Sequence, residues 1–131
     1  MKEAGLPYGN RTHTYNSRLA QELGKWADTQ EGGEAIHDRL FRAYFVEGTN
    51  IGEVDELVSI AEAAGLDGKA ARRVLENREF ERQVDEDWRY SRELGVTGVP
   101  TFYSNGLVVV GCQPYEVLVR FINHLNELMD Q

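Results

Sequence analysis

The stretch GVPTFYSNGLVVV, residues 98–110, decides the fold class of this chain. Two runs of β-branched and aromatic residues, VPTFY and LVVV, flank the tripeptide SNG, and Asn-Gly between such runs is a strong signal for a tight hairpin turn. We therefore predict two antiparallel strands joined by a turn at Asn105-Gly106. The second run shows no alternation of apolar and polar residues, so this strand is expected to need cover on both faces, which two strands alone cannot provide.

The residues on either side of this hairpin show helical periodicity. Up to Gly95, apolar residues recur three and four positions apart in successive segments. Asp67 is placed to cap one helix, and Gly65 and Gly95 are placed to end two others in the left-handed conformation. After the hairpin, Pro114 is expected as the first residue of a final helix. The sequence thus predicts a series of helices, a β-hairpin and a C-terminal helix.

Composition and net charge limit the kinds of partner that this protein is expected to bind. The chain has 131 residues, of which 41% are apolar, and this is enough for one compact core. Its formal net charge of -8 disfavours binding to nucleic acid or to an anionic membrane surface. No apolar stretch is long enough to cross a bilayer, and residues 1–15 do not have the pattern of a secretory signal. We expect a cytoplasmic protein with no nucleic-acid or membrane partner.

Thiol and metal chemistry have few candidate residues. The only cysteine is Cys112, so the chain alone can form neither an intramolecular disulfide nor a thiolate metal cluster. Cys112 precedes a predicted helix N-terminus, which favours a thiolate and makes it a candidate catalytic residue. The alternative, which we favour, is a small residue packed at a strand–helix junction, because one thiol without a neighbouring base is a weak catalytic signal. The histidines have no metal-ligand spacing, so we expect neither a metal nor a cofactor.

Large aromatic side chains at helical spacing more often belong to the hydrophobic core than to a functional site. Trp26, Tyr44, Phe45 and Trp88 are therefore expected in the hydrophobic core. The remaining catalytic residues cannot be assigned from composition and spacing alone.

Several short motifs in order resemble the DsbA-like thioredoxin-fold family. They are NSRLA at 16–20, LFRAYF at 40–45, NI at 50–51, ELGVTGVPTF at 93–102, NG at 105–106 and GCQPYEV at 111–117. Within that family the chain is most similar to the FrnE-type dithiol oxidoreductases, which are related to 2-hydroxychromene-2-carboxylate isomerases and kappa-class glutathione transferases. The resemblance implies an α/β fold, a partial thioredoxin-like fold of the DsbA type. Residues 1–95 would form the helical insertion and residues 96–131 the C-terminal ββα part.

The resemblance also implies a substrate-binding site. Val99-Pro100 would be a cis peptide bond facing the redox motif, with Pro100 as a gate and the backbone of Val99 contacting the substrate; a trans proline on an edge strand is the alternative. Gln113 would lie near the γ-glutamyl end of glutathione if the chain is of the isomerase type. The helical insertion forms one wall of the substrate groove in this family, which makes Tyr8 or Tyr15 candidates for substrate contact.

The Cys-x-x-Cys unit of the family is not found in this sequence, and this affects the expected redox activity. A DsbA-like protein places a Cys-x-x-Cys unit before the helical insertion, whereas Met1 falls where that unit should have ended. The resemblance implies a thiol-disulfide oxidoreductase or isomerase acting on protein thiols and disulfides, and this chain alone is expected to be redox-inactive. One alternative is a glutathione-dependent isomerase-like enzyme. The other is a non-enzymatic module that forms a homodimer through its unpaired strand edge.

Overall fold

The structure is a computed structural model and describes residues 3–131. Its elements in chain order are α1 (Arg18–Ala27), α2 (Ala35–Arg42), a π-helical segment (Ala43–Glu47), α3 (Val54–Ala63), α4 (Gly68–Glu76), α5 (Glu81–Glu93), β1 (Thr101–Ser104), β2 (Leu107–Val110) and α6 (Tyr115–Met129). Within these residues, no helix is both long enough and apolar enough to cross a membrane. The predicted α/β class is confirmed, with helices on both sides of a hairpin.

The hairpin has the predicted antiparallel strands and turn. Strands β1 and β2 pair antiparallel, with Phe102 opposite Val109 and Ser104 opposite Leu107. Asn105 and Gly106 both have positive φ angles, 50° and 81°, as a two-residue type I′ turn requires. The prediction of a turn at Asn-Gly is therefore confirmed.

The predicted helix ends are also found. The carboxylate of Asp67 accepts hydrogen bonds from the backbone N–H groups of Lys69 and Ala70, at 2.8 and 3.0 Å. Gly65 and Gly95 have φ angles of 85° and 79°, the left-handed conformation that ends a helix. Pro114 differs from the prediction by one position, because it is the cap that precedes α6 and not the first residue of that helix.

The chain divides into two compact units, one up to Glu86 and one from Asp87 to Gln131. In the first unit, α1 to α4 contribute to one apolar core that includes Leu23, Trp26, Ile36, Leu57 and Leu75. The expected burial of Trp26 is confirmed. The family-based boundary at residue 95 remains a prediction.

Two of the four aromatic residues expected in the core are not buried. Phe45 is 37% exposed and Trp88 is 43% exposed, while Tyr44 is half-buried against the core of the first unit. Residues Ala43–Glu47 form a π-helical turn, in which Ala43 is buried in the core and Phe45 is exposed.

The second unit buries little of its apolar surface. Leu125 of α6, 8% exposed, is the one hydrophobic residue of this unit that is described as buried. Along β2, Leu107 and Val109 are half-buried, whereas Val108 and Val110 are exposed. One face of β2 is therefore exposed in the chain as described, in line with the expectation that a two-stranded sheet cannot cover this strand on both faces.

Candidate substrate-binding end of the hairpin

The Val99-Pro100 dipeptide lies directly before β1. Its peptide bond is cis, the geometry that the family resemblance implies. The residue Val99 is 88% exposed, the largest exposure of any large hydrophobic residue that the structure describes. No hydrogen bond joins the N–H or the C=O of Val99 to another described residue. This residue therefore offers one backbone donor and one backbone acceptor to a partner.

The chain after β2 lies against this dipeptide. The N–H of Gly111 donates to the carbonyl oxygen of Pro100 at 2.7 Å, which extends the hairpin pairing by one step. Gln113 turns back on the hairpin, and its side-chain Nε2 donates to the carbonyl oxygen of Val110 at 2.8 Å. The structure thus brings Pro100 and Gln113 to the same end of the hairpin. Because one N–H of Gln113 is already engaged, its amide oxygen and second N–H remain for a ligand.

Cys112 lies between these two contacts and is exposed. The interpretation of Cys112 as a small residue packed at a strand–helix junction is therefore wrong. Two independent features required of a catalytic thiol are still lacking, because neither a basic side chain nor a second thiol contacts it among the described residues. The described residues also contain no group of three potential metal-ligating side chains.

The hairpin end carries almost no charge. The sequence between Glu93 and Glu116 contains no Lys, Arg, Asp or Glu, although charged residues make up 27% of the whole chain. Apolar side chains are exposed along this segment instead; they include Phe102, Tyr103, Val108, Val110 and Tyr115. Such a surface favours apolar contact and backbone hydrogen bonding over the binding of a small charged ligand.

A second polar arrangement lies in the first unit and was not foreseen from the sequence. Glu22, only 1% exposed, accepts three hydrogen bonds from Arg78 at 2.9 to 3.1 Å. Arg18 lies 3.6 Å from the same carboxylate and also contacts Asp85 at 2.7 Å. These hydrogen bonds to Glu22 raise the pKa of Arg78 above its ordinary value. The side chain of Arg18 is only 16% exposed, so its ion pairs are not fully solvated.

Each of the three histidines contacts a nearby side chain of its own unit. The ring of His37 contacts Asp28 at 2.8 Å, His124 lies 3.8 Å from Glu127, and His13 contacts Thr12. Each therefore has a local surface partner, and they do not converge on a common site.

Comparison with known proteins gives relatives over most of the chain. An uncharacterized protein of Bacillus subtilis, YwbO, is 32% identical over 112 residues, which cover 85% of this chain and 56% of YwbO. The ClpXP adapter protein SpxH of Halalkalibacterium halodurans is 26% identical over 121 residues, covering 87% of this chain and 39% of SpxH. The chain thus spans about half the length, or less, of these curated relatives.

The fold is similar to that of a solved protein as well. The cytosolic disulfide reductase DsbM from Pseudomonas aeruginosa superposes with a TM-score of 0.60 at 22% sequence identity, over 93% of this chain and 69% of DsbM. The family description "DSBA-like thioredoxin domain" matches residues 2–123. The chain therefore belongs to the DSBA-like thioredoxin domain family.

Proposed function

We propose that this chain supplies the polypeptide-binding part of a thiol-disulfide oxidoreductase. The observation that carries the proposal is the exposed Val99, whose backbone N–H and C=O have no partner among the described residues. An extended substrate segment pairs with these two groups as an added strand does at a sheet edge. Pro100 has no N–H and bounds the site on one side, in the role of a gate.

The substrate class that we propose is a polypeptide and not glutathione. Glutathione carries two carboxylates and one ammonium group, and cationic side chains are the usual partners of carboxylates. The segment between Glu93 and Glu116 has no Lys or Arg to supply them. Its exposed apolar residues instead suit the side chains that flank a cysteine in an unfolded protein. The glutathione-dependent isomerase is therefore the weaker of the two enzyme hypotheses.

We propose that this chain alone does not catalyse dithiol exchange. Exchange of a disulfide with a dithiol requires an attacking thiolate and a second thiol that resolves the mixed disulfide. The chain contains one cysteine, Cys112. The FrnE-type subfamily and a cytoplasmic location belong to the same proposal; the description of DsbM as a cytosolic disulfide reductase is compatible with both.

The binding experiment uses a cysteine-free, uncharged peptide rich in Val, Tyr and Ser, labelled with fluorescein, and measures its anisotropy. We expect saturable binding that Val99→Asp weakens about tenfold, since a carboxylate at the contact must be desolvated. Val99→Ala should change the affinity less than threefold, because the backbone and not the side chain makes the contact. Ile122→Asp, at another exposed apolar residue of the same unit, is the matched control and should bind normally.

Two results would contradict the polypeptide proposal. One is equal weakening by Val99→Asp and Ile122→Asp, which would indicate general loss of apolar surface. The other is calorimetric binding of glutathione with no binding of the peptide, which would favour the glutathione-dependent enzyme.

A non-enzymatic module that forms a homodimer is the second candidate. The relative SpxH is named as an adapter protein, and an adapter acts by binding. The uncovered face and free edges of the two-stranded sheet are compatible with strand addition by a second copy. Light scattering after size exclusion in excess reductant tests this candidate: a persistent dimer that Val108→Lys converts to a monomer supports it, and a monomer at all concentrations contradicts it.

A further inference from the structure

A row of aromatic rings lies on the surface of the first unit. Its members are Tyr8, Phe41, Tyr44 and Phe45, which we call the aromatic surface. The ring centroids of Tyr8 and Phe45, and of Phe45 and Phe41, are each 6.3 Å apart, and the ring of Tyr44 meets Phe45 edge-on at 4.8 Å. Phe41 is 63% exposed, and Tyr8 and Phe45 are exposed as well. Three aromatic rings in a continuous exposed row are unusual on a monomer surface and indicate an interaction site.

The aromatic surface is held in place by its backbone. Phe45 lies in the π-helical segment, a rare conformation that occurs often at functional sites. The N–H of Gly9 donates to the carbonyl oxygen of Phe45 at 2.9 Å, which fixes Tyr8 beside that ring. Any Cβ at position 9 would overlap the carbonyl oxygen of Val46, so that only glycine allows this approach. The rings are thus presented in a defined arrangement and do not result from a loosely packed helix end.

The charge beside the aromatic surface differs from that of the chain as a whole. The guanidinium carbon of Arg11 lies 5.2 Å from the centroid of the Tyr44 ring. Its Nη2 donates to the neutral hydroxyl of Thr14, and no carboxylate among the described residues pairs with it. The neighbouring Arg42 is neutralised by Glu47 at 3.1 Å. A chain of net charge -8 therefore presents a local, uncompensated positive charge next to its exposed rings.

We propose that the aromatic surface binds an acidic amphipathic helix of a partner protein. Apolar side chains four residues apart on a helix are separated by about 6 Å along its axis, which matches the 6.3 Å spacing of the rings. A carboxylate flanking those side chains pairs with Arg11. The aromatic surface belongs to the first unit and contains no thiol, and its proposed role extends the protein's function to the recruitment of a partner.

The test uses two fluorescein-labelled synthetic peptides of about 14 residues with Leu one helical turn apart, one with Glu and one with Lys at the remaining positions. Anisotropy is measured near physiological ionic strength, where the Debye length is about 8 Å and the nearest charges dominate. We expect the Glu peptide to bind at least fivefold more tightly than the Lys peptide. The net charge of the chain alone predicts the opposite order, so the preference is a direct test of Arg11.

Substitutions assign the binding to the aromatic surface. Phe41→Ala should weaken binding of the Glu peptide about tenfold, and Arg11→Gln should remove the preference for Glu over Lys. Phe102→Ala, an exposed phenylalanine of the other unit, is the matched control and should bind like the original chain. Circular dichroism checks that each variant is folded.

Three outcomes would overturn the proposal: equal or tighter binding of the Lys peptide, equal effects of Phe41→Ala and Phe102→Ala, or a dimer that Phe41→Ala dissociates in the absence of any peptide binding. The last would assign the surface to a second copy of the chain. Because both peptides lack cysteine and are strongly charged, a negative result would leave the proposal for Val99 untouched.

Discussion

Replacing Arg78 by Met should strongly destabilise the first unit. Arg78 donates three hydrogen bonds to the buried carboxylate of Glu22, and its own side chain is 39% exposed. Removing one member of a buried ion pair typically costs about 3 to 5 kcal/mol, because the other charge stays buried. Arg18 remains 3.6 Å from Glu22 and compensates in part. We therefore expect a loss of about 2 to 3 kcal/mol.

Methionine is chosen because it preserves the other properties of this position. Arg78 has a φ angle of 53°, a conformation that is unfavourable for any residue with a Cβ. Methionine has the same unfavourable backbone conformation at this position, and its unbranched side chain replaces the aliphatic part of arginine. The loss then reports on the ion pair alone. For a chain of this size, each kcal/mol lowers Tm by about 4 °C, so the variant should melt about 8 to 12 °C lower.

The assay is thermal unfolding followed by circular dichroism, with a second variant as control. Arg78→Met combined with Glu22→Leu removes both charges and should recover most of the lost stability, since a buried pair is replaced by apolar residues. A Tm change below about 2 °C for Arg78→Met, or a double variant less stable than the single one, would refute the reasoning.

The direction of the Arg78 pKa shift predicts how the stability contributed by the Arg78–Glu22 ion pair depends on pH. A cation whose pKa is raised in the folded state contributes stability that is present at all lower pH values and is lost only as the pH rises through the folded pKa. Arginine titrates far above neutrality. The stability difference between the original chain and Arg78→Met should therefore stay constant from about pH 6 to pH 9, and a decrease toward pH 9 would contradict this assignment.

Substitutions at three further positions test local features. Asp67→Ala removes the cap of α4 and should cost about 1 kcal/mol in urea unfolding, whereas Asp67→Asn should cost little because its side-chain oxygen still accepts from the helix N–H groups. Gly106→Ala places a Cβ at a φ of 81° in the hairpin turn and should cost about 1 kcal/mol or more; an unchanged stability would mean that the turn adopts another form. Phe41→Ala should change the stability by less than about 0.5 kcal/mol, because an exposed ring contributes little to the core.

Local features of this fold could be predicted from the sequence because their determinants are adjacent in the chain. The Asn105-Gly106 turn needs only two residues that tolerate positive φ, and the Asp67 cap needs only a short side chain before a helical run. The same holds for the exposed end of the hairpin. Val99 and Pro100 were identified through the motif that contains them, and their position before β1 follows from the predicted strand.

Features that depend on distant residues could not be predicted in this way. Glu22 and Arg78 are far apart in the sequence, and neither stands out among the many charged residues of the chain. The exposure of Phe45 depends on a π-helical turn, for which the regular helical period has no signal. The apolar run of β2 indicates that this strand needs cover on both faces, but it does not indicate what provides that cover.

The central claim is that the backbone of Val99 pairs with an extended polypeptide, and amide hydrogen exchange at single-residue resolution tests it most directly. Exchange is measured with and without a saturating amount of the uncharged, cysteine-free peptide. We predict that the Val99 N–H, which has no protein acceptor among the described residues, becomes protected at least tenfold when the peptide binds. Peptide binding that leaves the Val99 amide unprotected would contradict the claim.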